Sequence, residues 1–222
     1  MRPRLPFRII YEDRDCIAVD KPAGMLTTST NAMRRSVREA QFTVENVLTD
    51  YVRKGQLKSP LRAWPVHRLD RGTSGIVLFA KSQRLAEELR ARWGEIAEKT
   101  YVARVEGRLA APSGRFESYL RDDPHTMKVS SVRDPELGKL AVTKWRRVSE
   151  SGGTTLVEVD LQTGRKNQIR VHFSEAGHPV AGDVKYGAKP AARLFLHAAR
   201  LVVSLPAGRM TIESQPDKEF FA

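Results

Sequence analysis

An aspartate between two arginines is the feature of this chain that most suggests chemistry. Asp70 stands between Arg68 and Arg71 in the stretch HRLDRGTSGIVLFAKS, residues 67–82. In an exposed loop such a carboxylate would form a weak surface salt bridge. In a cleft closed to water, nearby cations would keep it ionised and ready to act as a nucleophile or base. The Gly-Thr-Ser-Gly run and the apolar stretch after it favour the second case, because they predict a rigid loop at the start of a strand.

The overall charge indicates a partner that is itself strongly charged. The chain has 222 residues, of which 41% are hydrophobic, enough for the core of a single domain over residues 1–222. Lys and Arg number 38 against 26 Asp and Glu, a net charge of +12. A basic domain attracts polyanions, and nucleic acid is the first candidate. Ordinary surface lysines and arginines are the alternative, and charge alone leaves both open.

Several classes of protein are excluded by what the sequence does not contain. A single cysteine, Cys16, excludes an internal disulfide framework and a Cys-rich zinc site. The five histidines form no close pair of the HExxH kind, and no glycine-rich phosphate loop is present. The apolar stretches are too short for a signal peptide or a membrane span. We therefore expect a soluble cytoplasmic protein.

Short strands outnumber helices in the predicted order of elements. Strands are expected at 7–11, 16–20, 75–81 and 99–107, in four runs between 114 and 162, and at 194–205 and 209–214. Helices are expected at 43–53, 82–93 and 168–176, although the last segment also fits a strand. Residues 29–41 are expected to form a flexible basic loop. Without regular strand–helix alternation, the pattern predicts an α+β fold with a largely antiparallel mixed sheet and a few packed helices.

The chain resembles a known family along nearly its whole length. The stretch around Asp70 resembles the aspartate motif of the pseudouridine synthases, in particular of the RluA-type branch. Four further stretches agree in the family's order: IIYEDRDCIAVDKPAGM, KTYVARVEG, GRKNQIRVHFSEAGHPVAGDVKYG and LFLHAARL. The resemblance covers about residues 7 to 214. It implies a pseudouridine synthase fold with a central active-site cleft.

The resemblance also implies an activity. Family members isomerise uridine to pseudouridine within RNA: the base leaves the ribose through nitrogen 1 and rejoins it through carbon 5. Because nothing is oxidised and no group is transferred, no cofactor is implied. The implied substrate is a flipped-out uridine in a stem-loop of ribosomal or transfer RNA. The small RNA-binding domain that many relatives carry before the catalytic domain is missing, since only six residues precede Phe7, and we expect a monomer.

Three catalytic residues follow from matching the family's motifs residue by residue. Asp70 is the implied essential carboxylate, which attacks carbon 1′ or removes the 2′ proton; both routes stay open. Arg170, in Gln-Ile-Arg, is the implied partner of that carboxylate, although a helix-surface arginine is the ordinary alternative. Tyr101 is the implied aromatic wall of the uracil pocket, near the proton that is lost. Composition alone would instead make Tyr101 a core residue of its strand.

Three further residues are implied to bind the substrate. Arg68 would hold the flipped-out state, Ile169 would form an apolar floor beneath the base, and Arg71 would contact backbone phosphates. We assign no catalytic role to His67 or Lys21, which fit structural roles. Further candidate phosphate contacts are the basic loops at 34–38 and 53–62 and the pair Arg146 and Arg147.

The sequence departs from the family pattern beside the implied arginine. Relatives commonly carry a histidine just before Gln-Ile-Arg, where this chain has Asn167, and Lys166 replaces an often small polar residue. Two other functions remain as alternatives. A non-catalytic RNA-binding or RNA-folding protein could retain the fold, and a nucleoside or base hydrolase would release free uracil.

Overall fold

The computed structural model describes residues 5–29, 42–54, 56, 58–205 and 208–221. The strands are β1 (Arg8–Glu12), β2 (Cys16–Lys21), β3 (Trp64–Pro65), β4 (Ser74–Ala80), β5 (Ala97–Glu106), β6 (Ser113–Asp122), β7 (Val129–Val132), β8 (Lys139–Ser151), β9 (Thr154–Leu161), β10 (Leu196–Leu205) and β11 (Gly208–Glu213). The α-helices are α1 (Val44–Val52), α2 (Gln83–Ala91), α3 (Trp93–Ile96) and α4 (Gln168–Glu175). Short 3₁₀ turns lie at Pro135–Leu137, Val184–Tyr186 and Lys218–Phe221. Of the predicted basic loop at 29–41, all but residue 29 lies outside the described residues.

The described strands form one mixed sheet. Its order is β1-β2-β4-β10-β5-β9-β8-β6-β7, with β11 paired to β10 and β3 paired to β4. Only the pairing of β10 with β4 is parallel among the described strands; the others are antiparallel. The predicted α+β class and the largely antiparallel mixed sheet are confirmed. No described helix is both long enough and apolar enough to cross a membrane.

Helices α1 and α2 begin where the sequence places their caps. The side chain of Thr43 accepts a hydrogen bond from the backbone N–H of Asn46 at the start of α1. Ser82 does the same for the N–H of Leu85 at the start of α2. Each cap satisfies a backbone donor that the first turn of a helix leaves free. The ambiguous segment after Asn167 is the helix α4, as predicted.

The core lies on both faces of the sheet, and β4 runs between them. All seven residues of β4 are buried, which explains why its sequence SGIVLFA is continuously apolar instead of alternating. Val77 and Phe79 pack into a cluster with Tyr101 and Ile169, whereas the intervening residues of β4 pack on the other face. The face of the sheet that carries Tyr101 and Ile169 therefore carries the predicted site. The Asp70 loop joins the sheet at the start of β4.

Candidate active site

The loop that carries Asp70 enters β4 through a glycine that no other residue could replace. Gly75 has φ +109, and a Cβ there would lie 2.3 Å from the carbonyl oxygen of Ala198 on β10. The backbones of β4 and β10 approach this closely because they pair at Gly75 and Ala198. A side chain would force the strands apart and would be strained at this positive φ. Gly75 thus fixes the point at which the Asp70 loop joins β4.

The end of β2 and the segment after it hold the same loop from the other side. The buried ammonium of Lys21 donates to the carbonyls of Pro22, Met25 and Arg71, at 3.0, 2.7 and 3.3 Å. The hydroxyl of Thr27 donates to the carbonyl of Leu69 and accepts from its N–H. Burial lowers the pKa of Lys21 to about 7, although the charge of Asp70 acts in the opposite direction. These contacts fit the structural role expected for Lys21.

Asp70 opens into a cavity of about 430 Å³. Its size is within the range of small-ligand sites. The lining combines charged groups with an apolar floor: Arg68, Leu69, Asp70, Thr73, Tyr101, Asp122, Leu161, Gly164, Arg165, Lys166, Asn167, Gln168, Ile169, Arg170 and Leu196. Five of the six predicted site residues therefore line one cavity, and Arg71 is the exception.

Arg170 reaches Asp70 across 100 residues of chain. Its Nη1 lies 3.5 Å from Oδ2 of Asp70, and the two side chains are 13% and 30% exposed. At that distance the pair is a loose ion pair and not a tight hydrogen bond. Arg170 is therefore not the helix-surface arginine of the alternative interpretation. Asp70 is partly accessible from the cavity, so a substrate could reach its carboxylate.

Asp183 is the firm partner of Arg170, and the sequence analysis did not select it. Nε and Nη2 of Arg170 donate to the two carboxylate oxygens of Asp183 at 2.6 and 2.7 Å. The side chain of Asp183 is 2% exposed. Such a bidentate interaction holds the guanidinium plane in one orientation. Although burial acts against it, the bonds to Asp183 raise the pKa of Arg170 above its usual value.

Asn167 and Tyr186 also hold the guanidinium of Arg170 in place. Asn167 Oδ1 accepts from Nη1 of Arg170 at 2.8 Å, and its Nδ2 donates to the Tyr186 hydroxyl at 3.0 Å. The guanidinium carbon of Arg170 lies 4.9 Å above the centre of the Tyr186 ring, within cation–π range. Asn167 precedes α4 with φ 55, a left-handed conformation that asparagine tolerates better than most residues. Asn167, which departs from the family pattern expected from the resemblance, thus makes a specific bond to Arg170.

Tyr101 and Ile169 form the wall and floor of the cavity. Both are buried, at 9% and 4% exposure, and both belong to the cluster on this face of the sheet. The core interpretation of Tyr101 is therefore compatible with its position at the cavity. Burial, with the charge of Asp70, raises the pKa of Tyr101 well above its usual value, so the side chain remains a neutral phenol.

The arginines beside Asp70 point to different places. Arg68 is exposed and lines the cavity, where it could meet a substrate. Arg71 is exposed as well, but its Nε donates to the carbonyl of Gly24 at 3.0 Å. Its contact with phosphate stays a prediction. The nearby His67 accepts a hydrogen bond from the N–H of Leu78 and stacks on Trp93, as a structural residue would.

Arg146, another predicted phosphate contact, lies away from the cavity. Arg146 on β8 donates to both oxygens of Glu158 on β9, at 2.7 and 2.9 Å. Its neighbour Trp145 is in register with Val159, which pairs with Tyr101, so Arg146 lies on the opposite face of the sheet from the cavity. The 34–38 segment lies outside the described residues. Among the described residues, no group of three or more His, Cys, Asp or Glu side chains could hold a metal ion.

Solved structures with the same fold are pseudouridine synthase domains. Human RNA pseudouridylate synthase domain containing 4 superposes with a TM-score of 0.75 at 21% identity, covering 96% of this chain and 90% of that one. Human RNA pseudouridylate synthase domain containing 1 gives 0.72 at 20% identity, covering 98% and 87%. At this identity the likeness defines the fold, and it confirms the pseudouridine synthase fold expected from the sequence.

Sequence relatives define the family. The dual-specificity RNA pseudouridine synthase RluA of Yersinia pestis is 33% identical over 219 residues, 96% of this chain and 99% of its own length. The ribosomal large subunit pseudouridine synthase D of Borreliella burgdorferi is 30% identical over 217 residues, 92% of this chain but only 64% of its own length. The family model for RNA pseudouridylate synthase matches residues 15–175. The chain belongs to this family, whose members are isomerases that convert uridine to pseudouridine in RNA.

Proposed function

We propose that this chain isomerises a specific uridine to pseudouridine in a stem-loop of ribosomal or transfer RNA, with Asp70 as the essential carboxylate. One observation supports this most strongly. In a chain of this family, Asp70 and Arg170 lie 3.5 Å apart in a cavity walled by Tyr101 and floored by Ile169. The cavity has room for a single flipped-out base, and the accessible carboxylate lies at its edge.

The chemistry needs one ionised acid and a pocket that retains the base. The bond between uracil nitrogen 1 and ribose carbon 1′ breaks, and a bond from carbon 5 to the same carbon forms. Carbon 5 then loses its proton, and nitrogen 1 gains one, so atoms and electrons balance. Asp70 either attacks carbon 1′ or removes the 2′ proton. Both routes use its carboxylate, and the positive charge of Arg170 lies 3.5 Å from it.

The walls of the cavity support the remaining roles. The ring of Tyr101 can stack on uracil, and its neutral hydroxyl is proposed to relay the carbon 5 proton, accepting it while passing its own proton to solvent. Ile169 supports the other surface of the base. Arg68, exposed at the cavity, is proposed to hold the flipped-out state of the RNA, and Arg71 to contact its backbone. Binding should weaken steeply with salt, because a domain of charge +12 would neutralise several phosphates.

The proposed enzyme acts in the cytoplasm as a monomer. Residues 1–222 would constitute one catalytic domain, and structured RNA would be its partner. The reaction as proposed requires neither a metal nor a cofactor, since each bond change is internal to the nucleotide.

RNA from a strain that lacks this protein provides the test. The purified protein is incubated with that RNA, and pseudouridine and free uracil are measured by mass spectrometry and mapped by position. We expect pseudouridine at a defined uridine and no free uracil. RNA binding without any pseudouridine would instead support the non-catalytic binding protein, and free uracil would support a hydrolase.

A further inference from the structure

A second cavity adjoins the cavity that holds Asp70. Its volume is about 470 Å³, and it lies between β6, β7, the start of β8 and the segment before α4. The two cavities share the residues Asp122, Gly164, Arg165 and Lys166. A ligand that fills the first cavity could therefore continue into the second without leaving the protein surface.

The second cavity has the chemistry of a nucleotide site. Four exposed cations line it, against two acids: Arg121, Lys139, Arg165 and Lys166, with Asp122 and Glu136. Leu137 adds apolar surface at 53% exposure, whereas Leu120 and Val129 also line the cavity but are buried, at 5% and 4%. Cations beside aliphatic surface suit a phosphate joined to a sugar and base.

An exposed ion pair stands at the boundary between the cavities. Lys166 Nζ donates to the two oxygens of Asp122 at 2.9 and 2.7 Å. The side chains of Lys166 and Asp122 are 44% and 50% exposed. An ion pair this accessible to water contributes little to stability, so the ammonium can exchange one anion for another. A phosphate oxygen is an equivalent acceptor for the same ammonium.

We propose that the second cavity binds the nucleotide that adjoins the modified uridine, and that Lys166 moves from Asp122 to its phosphate. Asp122 then acts as an internal competitor, which occupies Lys166 until RNA arrives. This proposal rests on the proposed function, because it assigns a further part of the same RNA to the chain. Its distinctive consequence is that removing the charge of Asp122 strengthens RNA binding.

The test measures binding of a fluorescein-labelled RNA stem-loop, with one uridine in its loop, by fluorescence anisotropy at several salt concentrations. Lys166→Ala should weaken binding roughly fivefold and lower the slope of log affinity against log salt by about 1, as loss of one phosphate contact does. Asp122→Asn should tighten binding roughly threefold with the slope unchanged, since the same phosphate is still neutralised.

Glu158→Gln provides the matched control. It changes the net charge by the same amount as Asp122→Asn and frees Arg146, which lies on the opposite face of the sheet. Equal tightening by the two variants would reduce the effect to overall charge and overturn the proposal. Wild-type affinity and salt slope in Lys166→Ala would overturn it as well. Circular dichroism of each variant checks that the substitution leaves the fold intact.

A separate readout distinguishes this proposal from the function on which it rests. Pseudouridine formation by the wild-type protein is measured on the RNA from the strain that lacks it. Pseudouridine formed while the Lys166 and Asp122 variants bind like wild type removes only the second site. No pseudouridine from the wild type removes the proposed function, whatever the binding measurements give.

Discussion

Arg170 lies between two carboxylates and holds them very differently. Asp183 is 2% exposed and accepts two hydrogen bonds, at 2.6 and 2.7 Å. Asp70 is 30% exposed and lies 3.5 Å from the nearest guanidinium nitrogen. The two acids have the same chemistry and share one partner, but only Asp70 faces the cavity. The contrast favours a structural role for Asp183 and agrees with the proposal that Asp70 is the reacting acid.

The difference shows how one arginine can serve two purposes. A bidentate bond to a buried carboxylate fixes the guanidinium in place. Nη1 of the same group, which also donates to Asn167 at 2.8 Å, then supplies positive charge to Asp70 without a tight bond to its oxygens. A tight bond to Asp70 would compete with a substrate for those oxygens. The loose pair therefore leaves the carboxylate of Asp70 accessible.

Removing the structural acid should give the largest loss of stability. Asp183→Asn leaves a mostly buried guanidinium without its counter-charge, and we expect the free energy of unfolding to fall by about 3 kcal/mol. Activity should fall as well, because Arg170 can then turn toward Asp70 and cap it. Urea denaturation measures the first effect and pseudouridine formation the second.

Asp122→Asn is the control for that experiment. Asp122 also pairs with a cation, Lys166, but in an exposed position, and its loss should change the free energy of unfolding by no more than about 0.5 kcal/mol. If both substitutions destabilised the protein equally, burial would not be what separates the two kinds of pair.

Tyr101→Phe tests the role of the cavity wall near Asp70. The substitution keeps the aromatic wall and removes only the hydroxyl, so stability should change little. We expect the rate of pseudouridine formation to fall roughly 100-fold, the usual contribution of a positioned proton-transfer group. Because the raised pKa keeps Tyr101 neutral, its ionisation should not alter the rate between pH 6 and about 9. A wild-type rate in Tyr101→Phe would restrict Tyr101 to a packing role.

His67, between β3 and β4, should make the stability of the protein depend on pH. Burial lowers the pKa of His67 to about 3, and the ring accepts a hydrogen bond from the N–H of Leu78 at 3.1 Å. In the unfolded chain a histidine titrates near 6.5. Protons therefore favour the unfolded chain as the pH falls below about 6.5. From pH 7 to pH 5 the protein should lose roughly 2 kcal/mol of stability through this residue.

His67→Gln isolates that effect, since glutamine can accept the same bond without titrating. The variant should lose about 2 kcal/mol less than wild type between pH 7 and pH 5, measured by urea denaturation at each pH. His125→Gln, at an exposed loop residue, should follow the wild-type curve. Identical pH dependence in wild type and His67→Gln would contradict a buried, neutral His67.

Local signals were enough to predict most of the fold. A few neighbouring residues are enough to predict the helix caps at Thr43 and Ser82. The same is true of the turn formed by the glycines before β4. The order of the strands in the sheet could not be predicted from such local signals. The parallel pairing of β4 with β10 joins Gly75 to Ala198, and no local pattern in either strand specifies that partner. Long-range pairing depends on how the faces of the sheet pack together.

The site was predictable where one motif carries one role. Asp70, Tyr101 and Arg170 were found through the resemblance, and the structure brings them to one cavity. Asp183 was missed because an acid after a glycine signals only a turn. Its function depends on a guanidinium 13 residues earlier in the chain, on a different element. Asn167 was noted only as a departure, since its bonds to Arg170 and Tyr186 exist only in three dimensions.

The most direct test of the account compares Asp70→Asn with Asp183→Asn in parallel. Each variant is assayed for pseudouridine formation on the same RNA and for thermal unfolding. Asp70→Asn should unfold near the wild-type temperature while its rate falls on the order of 10⁴-fold or more, as for loss of an essential nucleophile. Substantial turnover by Asp70→Asn, or a loss of stability as large as that of Asp183→Asn, would contradict the assignment of Asp70 as the reacting acid.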